Sequence, residues 1–291
     1  MIYSYKEKYF IVYNMIEKKF DKKRKNAHNE YIINIRHYFY SIIKYDLIMS
    51  ISQDNNLKIW NFGNWDLLIN IEKVYDKGYL NSACFLNDNN QLYILTGNDI
   101  PNNKESGPIQ IYNFGGNKIK EINDSNFPTA FIDAYYDKKL SKNFIITGNL
   151  GCVRSYDYNE MKLYHKYIDV NNSDYHRSII INSNEKIIKL IESCYDEKIR
   201  IWDFHSGLML NKISINGSFL FSICLFNNNY LFAGCGDKTI KIIDLEKGII
   251  SKNLTKHTKE VVGLKIFNNS YTSYILSQGF LSDQIKLWKL E

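Results

Sequence analysis

Apolar and polar residues alternate along this chain in short runs, with a period of two rather than the 3.6 of a helix. The runs Val261–Phe267, Tyr274–Ser277 and Gln284–Leu290 follow one another in this way, and Ile249–Leu254 precedes them. Asn, Asp, Gly and Ser separate the runs, as they do at the turns between β-strands. The pattern therefore predicts an all-β chain whose strands come in groups of four.

Six of the predicted strands end in the same way, with Trp, Tyr or Ile followed by a polar residue. The clearest copies are Gln53–Asn61 and Tyr195–Asp203, each of which begins with an Asp-containing turn. The six closing residues are Trp60, Tyr112, Tyr156, Trp202, Ile243 and Trp288, at intervals of 41 to 52 residues. A repeat of roughly 45 residues with four strands predicts a β-propeller, one blade per repeat.

These repeats resemble WD repeats over nearly the whole chain. A WD repeat has a His before the inner strand, Ser or Thr in the second strand, an Asp turn, and a third strand that ends in Trp-Asp. The resemblance implies that these side chains form a buried hydrogen-bonded chain, which stabilises the blade and is not a catalytic triad. The implied sets are His28, Ser50, Asp54 and Trp60 in the first repeat, and His257, Ser277, Asp283 and Trp288 in the last.

The other four repeats depart from this pattern. No obvious His precedes the strand that ends at Tyr112, and Leu150 stands where the third repeat should have its turn Asp. Ile243 replaces the Trp of the fifth repeat. In the fourth repeat His176 is available, but Glu192 stands where the small hydroxyl residue is expected. We therefore expect the rigidity of the blades to be uneven.

The amino terminus extends the repeat pattern. Met1–Tyr5, Tyr9–Tyr13 and Ile16–Phe20 align with the second, third and outer strands of a further blade that lacks its inner strand. The last repeat stops after its third strand, so it lacks an outer one. Our first interpretation is a single domain, 1–291, of seven WD-type blades. The alternative is six blades, with Ile16–Phe20 completing the last blade as a clasp.

Composition supports a well-packed β domain in a reducing compartment. Hydrophobic residues make up 45% of the 291 and aromatic residues 15%, which suits stacked sheets. The five cysteines form no Cys-x-x-Cys pair and are predicted to be reduced core residues. No apolar run is long enough for a membrane span, and no secretory signal is recognisable, so we expect a cytoplasmic or nuclear protein.

The sequence offers no recognisable chemistry. It contains no phosphate-binding loop, no nucleophile elbow and no zinc-protease motif, so we expect no cofactor, no metal and no catalytic residue. The net charge is +6, and the densest basic cluster is Lys18–Lys25. Basic residues elsewhere are interleaved with acids, which argues against nucleic acid as the partner.

These observations favour a non-catalytic scaffold, a monomer within a larger complex, that presents one face of the propeller to a peptide or protein. Candidate contact residues lie beside the Asp turns or near the starts of the inner strands: Gln53, Tyr195 and Ser282, and Tyr31, Tyr175 and Arg177. A second hypothesis is a regulatory or targeting module of a longer protein such as a kinase. A propeller enzyme is a third and more remote one.

Overall fold

The structure is a computed structural model. It describes residues 2–3, 8–14, 19–24, 27–99, 108–123, 128–169, 176–182, 187–215, 217–268, 272–280 and 285–290. Every regular element in these residues is a β-strand, which confirms the all-β prediction. No helix that could cross a membrane occurs among them.

The strands form antiparallel sheets in which neighbours along the chain are neighbours in the sheet. The amino-terminal sheet contains β1 (Ile2–Tyr3), β2 (Phe10–Asn14) and β3 (Lys19–Arg24). Blade 1 contains β4 (Ile32–Tyr40), β5 (Tyr45–Ser52), β6 (Leu57–Asn61) and β7 (Leu67–Ile71). Blade 2 contains β8 (Tyr79–Asp88), β9 (Gln91–Asp99), β10 (Ile109–Asn113) and β11 (Lys118–Ile122). Blade 3 contains β12 (Thr129–Asp137), β13 (Lys142–Asn149), β14 (Val153–Asp157) and β15 (Lys162–Tyr167).

The remaining repeats build three more sheets. Blade 4 contains β16 (His176–Asn182), β17 (Lys189–Cys194), β18 (Lys198–Asp203) and β19 (Met209–Ser214). Blade 5 contains β20 (Leu220–Phe226), β21 (Tyr230–Cys235), β22 (Ile240–Asp244) and β23 (Ile249–Leu254). Blade 6 contains β24 (Val261–Asn268), β25 (Ser273–Gly279) and β26 (Ile285–Leu290).

This is the β-propeller architecture, and the six repeats form six blades. The count agrees with the six-blade alternative and corrects our first interpretation of seven. The chain divides into two compact units, Met1–Thr147 with Ser155–Leu163, and Gly148–Arg154 with Tyr164–Glu291. Within the first unit the inner strands β4, β8 and β12 contact one another in succession, and within the second β16, β20 and β24 do so.

The amino-terminal sheet packs on blade 1. Its strand order, β1-β2-β3, is that of a second, third and outer strand, and β3 is hydrogen-bonded to β2. The six-blade alternative had instead paired residues 16–20 with the last blade. The ring of Phe10 lies between two indoles of blade 1, with centroids 5.7 Å from Trp60 and 5.5 Å from Trp65. This aromatic packing explains why the sheet stays on blade 1 without an inner strand of its own.

Several second and third strands are buried on both faces, as expected where a neighbouring blade packs on each side. Six consecutive residues of β5 are buried, from Leu47 to Ser52, and so is the whole of β14. The alternation that the sequence predicts therefore holds only partly, since these strands resemble the two-sided strands of a layered core. The outer strands keep one edge and much of one face in solvent, as the largely exposed β11 shows.

Five of the inner strands carry a β-bulge within their first three residues. The extra residue opposes no partner, so the strand twists there and the side chain is re-aimed. The register shifts fall between Ile32 and Asn34, Leu80 and Ser82, His176 and Ser178, Leu220 and Ser222, and Val261 and Gly263.

We predict that Gly234→Ala destabilises the protein by about 1–3 kcal/mol, because the site is already full. A Cβ at Gly234 would lie 2.6 Å from the carbonyl oxygen of Val261 and 2.8 Å from Ser222 Oγ. At the matched control, Gly263→Ala, the nearest atoms lie at 3.5 Å, on Gln278. Urea unfolding of both variants checks this, and equal effects would contradict it.

Candidate partner-binding surface

A chain of hydrogen bonds in blade 1 connects the segment before its inner strand, its second strand, the turn that follows, and its third strand. Trp60 Nε1 donates to Ser50 Oγ at 3.0 Å, and His28 Nε2 lies 2.8 Å from the same oxygen. His28 Nδ1 lies 3.2 Å from a carboxylate oxygen of Asp54. The Trp, His and Ser side chains are buried, so each polar atom finds its partner inside the blade. The four residues implied by the sequence are thus brought together.

Asp54 closes this chain on the turn between β5 and β6. Its carboxylate accepts hydrogen bonds from the backbone N–H of Asn29, at 2.9 Å, and of Asn56, at 3.1 Å. Burial alone would raise the pKa of Asp54, but the hydrogen bonds from His28 and the two backbone groups outweigh it and lower the pKa to about 2. The carboxylate therefore stays ionised and fixes the shape of the turn.

Blade 6 repeats part of the arrangement. Trp288 Nε1 donates to Ser277 Oγ at 2.7 Å, and His257 Nε2 lies 2.6 Å from that oxygen. Asp283, the fourth member of the implied set, lies outside the described residues. The Ser hydroxyl thus links the His and Trp side chains in both blades that match the sequence pattern most fully.

Blade 4 uses a carboxylate where blades 1 and 6 use a hydroxyl. Glu192 lies opposite Arg200 in the ladder, as Ser50 lies opposite Lys58 in blade 1. Its Oε1 accepts from Trp202 Nε1 at 3.1 Å, and its Oε2 is hydrogen-bonded to His176 Nδ1. Glu192 is fully buried, and it links the same two types of side chain as the serine does.

Blade 2 replaces the missing His with a tyrosine that the sequence analysis did not identify. Thr96 occupies the register position of Ser50, and the hydroxyl of Tyr75 lies 2.9 Å from Thr96 Oγ1. Tyr75 also donates to the carbonyl oxygen of Pro108 at 3.0 Å. Burial raises the pKa of Tyr75, so the phenol remains a neutral donor.

The turn Asp residues of blades 4 and 5 bind a cation in place of a His. Both nitrogens at the end of Arg200 contact the carboxylate of Asp196, and Arg200 Nε donates to Asp169 at 2.9 Å. Lys241 Nζ lies 2.6 Å from Asp237. Burial would raise the pKa of each turn Asp, but the hydrogen bond from Arg200 or Lys241 lowers it. These carboxylates hold their turns in place from the inside.

The candidate contact residues of the first unit lie at the same end of the blade as the Asp turn. The backbone N–H of Gln53 donates to the carbonyl oxygen of Tyr31 at 2.9 Å, so the two residues are adjacent. Both side chains are exposed, that of Tyr31 to 41%. Tyr79, the first residue of β8, holds the equivalent position of blade 2 and is 53% exposed.

The second unit presents a cluster of three aromatic rings, which we call the Tyr195 cluster: Tyr195, Phe219 and Phe221. The ring of Tyr195 lies 5.8 Å from that of Phe219 and 5.7 Å from that of Phe221, between centroids. Phe219 is 56% exposed and the other two are partly exposed. Phe221 is the bulge residue of β20, and Phe219 holds the position that Tyr31 holds in blade 1.

Three other candidates from the sequence cannot be placed with their side chains. Tyr175 and Ser282 lie outside the described residues, and for Arg177 only the strand, β16, is described. Register equivalence is the signal that would have found Phe219 and Tyr79, because both directly precede the buried leucine at which the bulge of an inner strand begins. No group of His, Cys, Asp and Glu suited to a metal ion occurs among the described residues.

Comparison with known proteins adds no family. No protein-family model matches the chain, and no curated protein matches it at a significant level.

We predict that His28→Ala and Trp60→Phe each lower the free energy of unfolding by roughly 1–3 kcal/mol, because each removes one of the two buried hydrogen-bond partners of Ser50 Oγ. The double variant should lose less than the sum, since both residues act through one hydroxyl. Denaturant unfolding of the three variants checks this. Strict additivity would show that the two side chains are not coupled.

We also predict a pH dependence from Asp54. Its pKa is lowered from 3.8 to about 2, so its contribution to stability is complete above about pH 4 and is lost as the pH falls towards 2. Asp54→Asn should therefore be less stable than the wild type at pH 6, and this difference should shrink below pH 4. Urea unfolding across this range measures it, and a constant difference would contradict the assignment.

Proposed function

We propose that this chain is a WD-repeat β-propeller that serves as a non-catalytic scaffold and binds a peptide or protein through the Asp-turn end of its blades. The Tyr195 cluster carries the proposal. Aromatic side chains are the commonest anchors of protein interfaces, because they bury a large area at a small cost in conformational entropy. Such rings are seldom left exposed together on a surface without a function.

Rigid support of the cluster favours recognition. Tyr195 directly precedes Asp196, whose carboxylate is fixed by Arg200. Phe219 is held by its carbonyl oxygen, which accepts from the backbone N–H of Gly236 at 2.9 Å. A preformed aromatic surface loses little freedom on binding, so more of the contact energy remains as affinity.

The assignment to WD repeats rests on the hydrogen-bonded chains. A His and a Trp that meet on one Ser hydroxyl, in blade 1 and again in blade 6, are the side-chain pattern that the resemblance implies. The motif positions of blades 2 and 4 are filled by other polar residues that make equivalent bonds. We place the protein in the cytoplasm or nucleus on composition alone.

We predict that Tyr195→Ala and Phe219→Ala each lower the affinity for the partner by about tenfold or more, because they remove interface anchors. The matched control is Leu208→Ala, which changes another exposed apolar side chain of the second unit, 67% exposed. Affinity capture from the native cell with quantitative mass spectrometry identifies the partner, and the purified proteins then give the dissociation constants.

Two results would overturn the proposal. One is capture of the same proteins, in the same amounts, by the wild type and by both ring variants. The other is an equal loss with Leu208→Ala, which would indicate general stickiness and not a site. Thermal unfolding of all variants distinguishes loss of the surface from loss of the fold.

A further inference from the structure

The hairpin between β4 and β5 ends in an apolar tip. Residues 41–44 form its turn, and Ile42 and Ile43 are 52% and 40% exposed. Phe39 and Tyr45, on the two strands that lead into the turn, are 54% and 40% exposed. Turns are normally made of Gly, Asn, Asp, Pro and Ser, so two isoleucines at a tip need another explanation.

Equivalent hairpins of other blades follow the usual chemistry. In blade 2 the hairpin turns through Asp88–Gln91, and in blade 5 it turns through Asn227–Asn229. Blade 1 therefore departs from the pattern of its own protein at this point. The departure is not required by the fold, since the same connection is made elsewhere by polar residues.

The tip belongs to a surface that blades 1 to 3 share in the first unit, and that we call the hairpin face. Tyr40 donates to the carbonyl oxygen of Asn90, at 2.9 Å, across blades 1 and 2. Asn143 of blade 3 donates to Asp88 of blade 2 at 3.0 Å. These bonds hold the three hairpins side by side. The blade 3 hairpin adds Leu140, which is 49% exposed.

The hairpins of blades 1 and 3 also carry lysines without carboxylate partners. Lys44, Lys138 and Lys139 make no ion pair within the part of the chain that the structure describes. The nearby acids are already engaged: Asp137 accepts from the backbone N–H groups of Lys139 and Leu140, and Asp46 is hydrogen-bonded to His37 Nε2 at 3.0 Å. The hairpin face therefore offers three lysine ammonium groups that have no ion-pair partner among the described residues and can bind an external anion.

We propose that the hairpin face docks on an anionic lipid bilayer, with Ile42 and Ile43 entering the interface. The order of residues fits a membrane surface: aliphatic side chains at the tip, aromatic ones one step back along the strands, and lysines in the tip itself and in the blade 3 hairpin. Aromatic rings prefer the headgroup level, and lysines bind the negative surface of the leaflet. A peripheral contact of this kind needs no membrane-spanning element.

Vesicle binding tests the proposal with the whole chain. The wild type should co-sediment with vesicles that contain phosphatidylserine, more strongly than with pure phosphatidylcholine, and less strongly as salt is raised. Ile42→Ser with Ile43→Ser should lower the partition coefficient about tenfold or more. The matched control, Leu208→Ser with Met209→Ser, removes similar exposed side chains from the second unit and should bind as the wild type does.

A reporter variant gives a second readout that does not depend on loss of function. Ile43→Trp keeps the tip apolar, and its added indole should shift to shorter emission wavelength when phosphatidylserine vesicles are added. Absence of wild-type binding to these vesicles would overturn the proposal, and so would unchanged binding by the double Ser variant. Analytical ultracentrifugation tests a third outcome. If the wild type were a dimer and the double Ser variant a monomer, the tip would bind a second copy of the chain and not a membrane.

Discussion

A polar group buried between two blades must find a hydrogen-bond partner inside the protein, and this requirement shapes the residues at the core of the repeats. An indole N–H that closes a third strand is out of reach of water, so leaving it unpaired would cost more than the hydrogen bond gains. The middle strand supplies the acceptor, because its side chains lie beside the closing residue. In blade 1 a single oxygen, Ser50 Oγ, meets both Trp60 and His28.

The blades satisfy this requirement with different residues. Glu192 reaches both the His and the Trp of blade 4 through its two carboxylate oxygens, and Tyr75 takes the place of the His in blade 2. Blade 5 has no polar side chain to satisfy at these positions. Ala233 stands at the position of Ser50 and Ile243 at that of Trp60, and both join an apolar cluster. Substitutions at the acceptor and at the closing residue thus go together, as expected when one side chain exists to satisfy the other.

The sequence was sufficient to predict the strands and the repeat length, because these depend on local periodicity, and the resemblance to WD repeats implied the members of the blade 1 hydrogen-bonded chain. It was not sufficient for Tyr75 or for the part that Glu192 plays, since neither matches the motif and only the three-dimensional register shows what each one meets. The sequence analysis named Tyr195 but did not predict its cluster with Phe219 and Phe221, for a similar reason. Phe219 and Phe221 come together with Tyr195 from a neighbouring blade, and no spacing within one repeat reveals that contact.

Hydrogen bonds made inside the blades fix the ends of the turns and leave their exposed residues free to vary. Because the turn Asp of blade 4 is held from inside by Arg200, the residue before it can change without loss of the turn, and Tyr195 is available for recognition. Sequence variation at the hairpins is permitted for the same reason, since the strands on either side fix their ends. Apolar residues at exposed turns therefore carry information about partners, whereas the buried motif residues carry information about the fold.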